Sequence, residues 1–299
     1  MKYTIKSLNA SKKKKPPKKP IKAEGKQNMP SIITLLTDFG LKDTYVAQMK
    51  GVILSISPET KIVDITHQIP PQNILQAAYL LSTATKHFPK KTIHIVVVDP
   101  GVGSERKAIV IQTKRSFLVG PDNGVLILAA EEEGITKIVQ ITNKKYMLNK
   151  ISQTFHGRDV FAPAAAFLSK GIQLSDLGPE LNRQNIIYLP IEKAKIIGKK
   201  IVGQIIHIDR FGNAVTNITK TITEKFGIKY GDDIRIKINK KPKIEKRISF
   251  RPTFSHVKKG EIIALINSDD KLELSVNQGS AEKILHLKVK MFLEIELNK

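Results

Sequence analysis

The chain has 299 residues, 41% of them hydrophobic, which is enough to bury a core in each of two domains. It contains no cysteine, which excludes disulfides, thiolate metal sites and a cysteine nucleophile. The formal charge of +23 is unevenly spread: residues 1–29 hold ten Lys against one Glu and carry +9, leaving +14 for the other 270 residues.

Residues 1–29, with SKKKKPPKKPIKAEGK at their centre, have no apolar periodicity and read as a disordered Lys/Pro-rich tail. The basic charge either reflects a Lys-rich composition with no partner or offers a contact for nucleic acid or an anionic surface. No apolar run approaches the ~18–20 residues of a membrane span. The lysines near the start are not followed by the apolar stretch of a secretory signal, so a cytoplasmic protein is expected.

The folded part is expected from about Ser31, with an N-terminal domain over 30–195. SIITLLT (31–37) reads as a buried strand, and 44–56 repeats apolar residues at helical spacing. KIVDIT (61–66) reads as a strand, and 74–88 as a helix entered after Pro70 and Pro71. Strands are expected at 92–98, 108–112, 116–120 and 137–142, with a helix at 124–134 that closes at Gly134. RDVFAPAAAFLSKG (158–171) reads as a helix with Asp159 in its first turn. Strands alternating with helices imply an α/β domain with a mostly parallel sheet.

The pattern changes after about residue 195. Strands are expected at 199–209, 233–238, 247–250, 261–268, 272–276 and 284–297, with a short helix near Thr221–Phe226. Residues 196–299 therefore read as an all-β, barrel-like domain.

Polar clusters stand at the ends of several of these strands. TDFG (37–40) puts Asp38 at the carboxyl end of the first strand, where open α/β sheets bind ligands. A carboxylate there can accept both hydroxyls of a ribose; an ordinary turn or helix-capping Asp is the alternative. DPGVGSER (99–106) is neither a Walker loop nor a dinucleotide fingerprint, because no GK[ST] follows and Arg106 stands where a third glycine is needed. Its glycines permit a tight turn that folds Arg106 back to orient Asp99. The alternative is a strand-connecting turn with a surface ion pair.

In TFHGRDVF (154–161), His156 is either a satisfied structural residue or a polar group on the same rim as Asp38 and Asp99. HIDRFGNAVTNI (207–218) offers Asp209, Asn213 and Asn217, with Phe211 able to stack on a planar base, and an ordinary β-turn is the alternative. INSDD and NQGSA, around Ser268 and Gly279, are turn material. No spacing matches a metal site or a serine-hydrolase elbow.

Taken in order, TDFG, KGVILSISP, IVDITHQIPP, VVVDPGVGSER, GPDNG, TFHGRD and HIDRFGN resemble the SAM hydroxide adenosyltransferases, the adenosine-forming S-adenosyl-L-methionine (SAM) hydrolases related to fluorinases and chlorinases. The resemblance covers residues 31–299. It implies an α/β domain joined to a β-barrel-like domain, a homotrimer with SAM bound between subunits, and no cofactor or metal. It implies attack of water or hydroxide on the ribose 5′ carbon, giving adenosine and L-methionine.

Residue by residue, the resemblance assigns Asp99, Arg106 and His156 to catalysis and Asp38 to the ribose. Asp43, Asp209 and Ser268 fall on methionine contacts; Phe211, Asn213, Phe254 and the backbone at Gly279 fall on adenine contacts. Where the halogenating relatives have Tyr and Thr near the halide, Asp99 and Val102 stand, and their halide-binding Ser corresponds to Gly157. Their extra loop is replaced by a short TKR turn, and their Trp over the ribose aligns with Gln72. Hydrolysis is favoured over halogenation; a SAM-dependent halogenase-like enzyme and a catalytically vestigial SAM or adenosine binder are the alternatives. Either Asp99 takes a proton from the water, or Arg106 and His156 hold hydroxide while Asp99 aligns them.

Overall fold

The computed structural model describes residues 31–238 and 243–297, and the expected tail over 1–29 lies outside them. Ser31–Lys299 forms one compact unit built around two sheets.

The first sheet contains β1 (Ile32–Thr37), β2 (Lys61–Thr66), β3 (Ile93–Val97), β4 (Ala108–Thr113), β5 (Phe117–Pro121) and β6 (Ile135–Gln140), in the order β2-β1-β3-β5-β4-β6. Every pairing is parallel except those of β4, which runs antiparallel to β5 and β6. The cause is local: β4 and β5 are joined by the three-residue turn 114–116, which can only reverse the chain. β1 and β3 are buried almost throughout, as expected of central parallel strands covered on both faces.

Four helices supply that cover. α1 (Tyr45–Ile56) and α4 (Ala162–Ser169) pack on one face, where Met49, Ile53, Ala164 and Ala165 meet Ile33, Leu35 and Ile95. α2 (Ile74–Thr85) and α3 (Ile127–Glu133) pack on the other, where Ala77, Leu81 and Leu126 meet Leu36, Val96 and Ile111. The Asn73 side chain caps α2 by accepting the Gln76 N–H at 3.1 Å. The chain winds one way from β1 through α1 to β2, then crosses to place β3 on the other side of β1. The strand order therefore reverses between β1 and β3, where open sheets of this kind leave a crevice at the carboxyl ends.

The helix expected from Arg158 begins differently. Gly157–Phe161 forms a wide π turn, with the Ala162 N–H reaching back to the Gly157 carbonyl, and regular helix starts only at Ala162. Asp159, in the middle of this wide turn, is fully buried.

The second sheet comprises β7 (Lys195–Ile197), β8 (Lys200–Ile208), β9 (Ala214–Thr219), β10 (Asp233–Ile238), β11 (Ile244–Phe250), β12 (Ile262–Ile266), β13 (Lys271–Val276) and β14 (Phe292–Leu297). Pairing of β14 with both β10 and β8 closes seven of these strands into a barrel, with β7 attached outside β8. Its interior is filled by Ile201, Ile205, Ile218, Ile236, Phe250, Leu274 and Ile295. The short helix expected near Thr221 is α5 (Lys220–Phe226), capped by Thr219.

The single strand expected over 284–297 is two elements. Residues Ala281–Leu285 form α6, capped by Ser280, and the strand starts only at Phe292. His286 and Lys290 adopt left-handed backbone between them, which breaks any extended run. The barrel leans on α2, where Tyr79 stacks on His207 at 4.9 Å and Lys86 pairs with Asp269 at 2.6 Å. Among the described residues, no helix is long and apolar enough to cross a membrane.

Candidate active site

Asp38 and Asp99 leave neighbouring strands, because Thr37 of β1 stands opposite Val97 of β3. Their loops are held by segments elsewhere in the chain. The buried Thr37 hydroxyl bonds His67 Nδ1 at 2.9 Å and accepts the Phe39 N–H at 3.2 Å. His67 in turn accepts the Gly40 N–H on its carbonyl at 2.8 Å, and its Nε2 lies 3.1 Å from Asp64. Lys50 completes the row with a 2.6 Å contact to Asp64. Burial pushes the Asp64 carboxyl up, but Lys50 and His67 outweigh it and hold it below its ordinary value. The Gln72 N–H donates directly to Asp38 Oδ2 at 2.8 Å. Gln72 does so from a φ of 65°, a costly conformation for a residue with a side chain.

At the end of β3, the Asn123 amide donates to the Val98 carbonyl at 2.9 Å and fixes the strand just before Asp99. The loop then tightens through Val102 N–H to Asp99 O and Ser104 N–H to Gly101 O. Gly103 sits at φ 80°, and a Cβ there would stand 2.5 Å from the Gln153 carbonyl. Close approach of these two backbones is thus possible only with glycine. It seats the loop against the segment carrying His156.

The result is a closed Asp–Arg–His set. Arg106 Nε donates to both oxygens of Asp99, at 3.1 and 2.9 Å, and its Nη2 lies 2.6 Å from Oδ2. The same Nη2 bonds His156 Nδ1 at 2.7 Å. The side chains of Asp99 and Arg106 are only 4% and 8% exposed, so this is no surface ion pair. Phe161 lies beneath the guanidinium, 5.3 Å from its carbon. A guanidinium has no acceptor, so Nδ1 must accept and the neutral ring carries its proton on Nε2. Burial, then the Arg106 charge, holds the His156 pKa below its ordinary value, against opposing pulls from Asp99 and Asp159. A cleft of about 300 Å³ reaches Arg106 and His156 between Met147, Ile151 and Val160.

The remaining residues fall in two groups. Asp43 is exposed just before α1, two positions from Tyr45. On the barrel, Asp209 is turned into its own loop: Oδ1 accepts the N–H groups of Phe211 and Asn213, and Oδ2 accepts the Asn213 amide, all at 2.9 Å. That turn holds Phe211 outward, 75% exposed. The Glu282 N–H donates to the Gly212 carbonyl, bringing the turn beside Gly279, and Asn277 ties in the segment of Phe254 through the Val257 carbonyl. Phe211, Asn213, Phe254 and Gly279 thus share one end of the barrel. Ser268 lies in the turn before β13, at the other end of that strand. Among the described residues, no hydrogen bond, ion pair or ring contact joins this group to Asp38, Asp99, Arg106 or His156 within one copy. Nor does any group of three or more His, Asp or Glu stand close enough to hold a metal ion among them.

IVDITHQIPP and GPDNG give no local sign that His67 and Asn123 serve the site, and Gln72 stands out only as the position aligned with the halogenases' Trp over the ribose. The contribution of these residues is to hold the loops of Asp38 and Asp99, through contacts that form only in the folded sheet.

Comparison with known proteins decides the family. Residues 33–178 match the SAM hydroxide adenosyltransferase N-terminal domain, and residues 203–294 match its C-terminal domain. The chain belongs to the SAM hydroxide adenosyltransferase family. An (R)-S-adenosyl-L-methionine hydrolase of Methanocaldococcus jannaschii is 44% identical, over 86% of this chain and 92% of that protein. The enzyme of the same name from Thermus thermophilus is 34% identical over 86% and 96%. A fluorinase of Nocardia brasiliensis also matches, at 25% identity over 89% and 97%. Among solved structures, an uncharacterized conserved protein from Thermotoga maritima superposes with a TM-score of 0.83 at 38% identity, covering 88% of this chain and 99% of that one.

Proposed function

We propose that this member of the family hydrolyses SAM to adenosine and L-methionine. Oxygen of water or hydroxide bonds the ribose 5′ carbon as the carbon–sulfur bond breaks, and where water attacks, its proton is released to solvent. The bonding pair stays on sulfur, and methionine leaves as a neutral thioether. The observation that carries the reading is the buried Asp99–Arg106–His156 set beside the crevice between β1 and β3.

Sulfonium is already a good leaving group, so the protein's task is to position a nucleophile in line. Such positioning is worth several kcal/mol, up to roughly 7–11 in well-aligned intramolecular cases. Both oxygens of Asp99 are engaged by Arg106. This favours Asp99 as the aligning group, with Arg106 and the Nε2–H of His156 stabilising hydroxide character. Asp38 takes the ribose, with one oxygen partly used by the Gln72 N–H. No cofactor enters this scheme.

The homotrimer with sites between subunits is what the resemblance implies, and the exposure of Phe211 and Phe254, neither bonded to the Arg106 set, accords with it. In that arrangement Asn213 and Gly279 meet adenine, while Asp43 and Ser268 meet the methionine portion. Asp209 acts by shaping the turn that presents Phe211. The same reading divides the chain near residue 195, puts the protein in the cytoplasm, and leaves residues 1–29 as a basic contact for nucleic acid or an anionic surface.

Halogenation is disfavoured, since Gly157 offers no side-chain oxygen and Val102 is apolar. The test is incubation with SAM in ¹⁸O-water and chromatography of the products. Adenosine labelled at the 5′ oxygen, with methionine, is expected. Bound SAM without product would mark a vestigial binder, and a halogenated nucleoside in excess chloride would mark a halogenase.

A further inference from the structure

Arg158 stands next to the catalytic set without touching it, and its contacts are unusually complete. Its Nε and Nη2 clasp the two oxygens of Asp159 at 2.6 and 3.1 Å. Asp159, in the π turn, is fully buried and also accepts the Ser152 N–H at 2.7 Å. The remaining nitrogen, Nη1, donates to Gln48 of α1 at 2.9 Å, and Gln48 donates to Thr44 at 2.8 Å. The guanidinium also lies over the Phe155 ring at 4.9 Å.

Phe155 extends these links. It packs edge-on against Phe39 at 5.8 Å and Tyr45 at 5.2 Å, and those two rings meet at 5.6 Å. Each ring is a near neighbour in sequence of a residue proposed for the site: Phe39 follows Asp38, Tyr45 comes two after Asp43, and Phe155 precedes His156. Arg158 therefore spans three separate segments. From within the π turn it holds the neighbouring Asp159, and it reaches the start of α1 and, through Phe155, the loop of Asp38.

We infer that Arg158 is a positioning residue, clamping the π turn against α1 so that His156 is held at Arg106 in register with Asp38 and Asp43. The inference rests on the hydrolase reading of the site. Planar, bidentate recognition is needed on Asp159 while a third nitrogen reaches Gln48. Only arginine does this, since lysine offers a single point of attachment. A π turn has an irregular hydrogen-bond ladder, and such turns recur at functional sites. Here the buried carboxylate of Asp159, bonded to Ser152 and Arg158, supplies that fixation.

The test compares Arg158→Lys, the double variant Arg158→Gln/Asp159→Asn and His156→Gln as control. The double variant avoids leaving a buried carboxylate unpaired, which would be strongly destabilising. Thermal midpoint, kcat and KM for SAM, and the pH profile of kcat are measured on each. A ring displaced by about 1 Å costs roughly 10²-fold in such sites, so kcat of the double variant should fall by roughly 10–100-fold. KM should change by less than about three-fold and Arg158→Lys should recover part of the loss, because the charge remains but the fork does not. The acid limb is read on Arg158→Lys, which keeps the upward pull of Asp159 on His156, and should move to higher pH as His156 drifts from the Arg106 charge.

Turnover of either folded variant near the wild-type level, with His156→Gln inactive, overturns the clamp alone. A loss that only follows a lowered thermal midpoint, with the pH profile of Arg158→Lys unmoved, also overturns it. If the double variant does not fold, Arg158→Lys decides by the same criteria. Full turnover by His156→Gln would overturn the hydrolase reading of the site, and the clamp with it.

Discussion

One nitrogen of Arg106 joins it to His156: Nη2 lies 2.7 Å from His156 Nδ1 while also standing 2.6 Å from Asp99. Removing the guanidinium breaks both contacts at once and frees the imidazole to take either tautomer. Arg106→Met should lower kcat for SAM hydrolysis by roughly 10²–10³-fold, the scale of losing a preorganised donor set. Arg106→Lys should not restore it, since an ammonium cannot serve both oxygens of Asp99 and the ring together. Turnover of Arg106→Lys within about three-fold of wild type would contradict this use of the fork.

The same contact sets a pH dependence. His156 must be neutral to accept from Arg106, and burial and the Arg106 charge hold its pKa below 6.5. Activity should therefore persist from neutral into mildly acidic solution and fall only as the pH drops through that lowered pKa. In Arg106→Met one of the two lowering influences is gone, so the acid limb of the residual rate should move upward. An unmoved limb would mean that another group controls it.

Gly103 is the hinge on which the loop closes. Alanine there is strained at φ 80° and meets the Gln153 carbonyl. Gly103→Ala should cost about 1–3 kcal/mol in stability. It should also lower kcat more than it raises KM, because Arg106 is carried away from His156. Chemical denaturation and steady-state kinetics on the same preparation separate the two effects.

Gln72 makes the complementary case on the ribose side. What matters is its backbone N–H, donated to Asp38. Gln72→Gly keeps the donor and relieves the left-handed backbone, so stability should change by less than about 1 kcal/mol and KM should hold. Gln72→Pro removes the donor and cannot adopt the φ, and KM for SAM should rise by roughly ten-fold, about one charge-assisted hydrogen bond. Equal KM values in the two variants would show that Asp38 is oriented by something else.

His94, at the opposite end of β3 from Asp99, should contribute to acid stability. It is buried in β3, its Nδ1 bonding the Thr34 hydroxyl at 2.7 Å, and burial lowers its pKa to about 4 against a weaker upward pull from Glu133. Between pH 6.5 and 4 the unfolded chain binds the proton that the native protein refuses. The stability present above 6.5 should therefore drain away as pH falls toward 4. His94→Gln should flatten that part of the stability profile in urea titrations.

The first sheet was legible because buried parallel strands are short apolar runs and its helices carry a clear apolar stripe. The expected and observed ranges of β1 and α1 differ by a single residue. The wide turn at Gly157 was hidden because its cause is Asp159 turning inward to meet Ser152 and Arg158, a tertiary contact with no period. β9 carries no strand expectation because AVTNIT sets Thr216 and Asn217 side by side and breaks the alternation of a strand, and only its partners in the barrel define it. At the site, Asp99 and Arg106 stood out by their strand-end position and Gly-rich spacing. His67 and Asn123 did not, since a residue that supports a neighbouring loop leaves no local signature.

Barrel closure sets an order of events during synthesis. β14 is made after every other described strand, yet it pairs with both β8 and β10. Until it emerges from the ribosome, those two strands are bare edges open to any passing β-segment. The α/β layer, built from nearer neighbours along the chain, can form first. The water-handling residues can therefore be assembled on the nascent chain before the barrel loops that would hold adenine have a finished scaffold. A half-made copy would carry its chemistry without its grip.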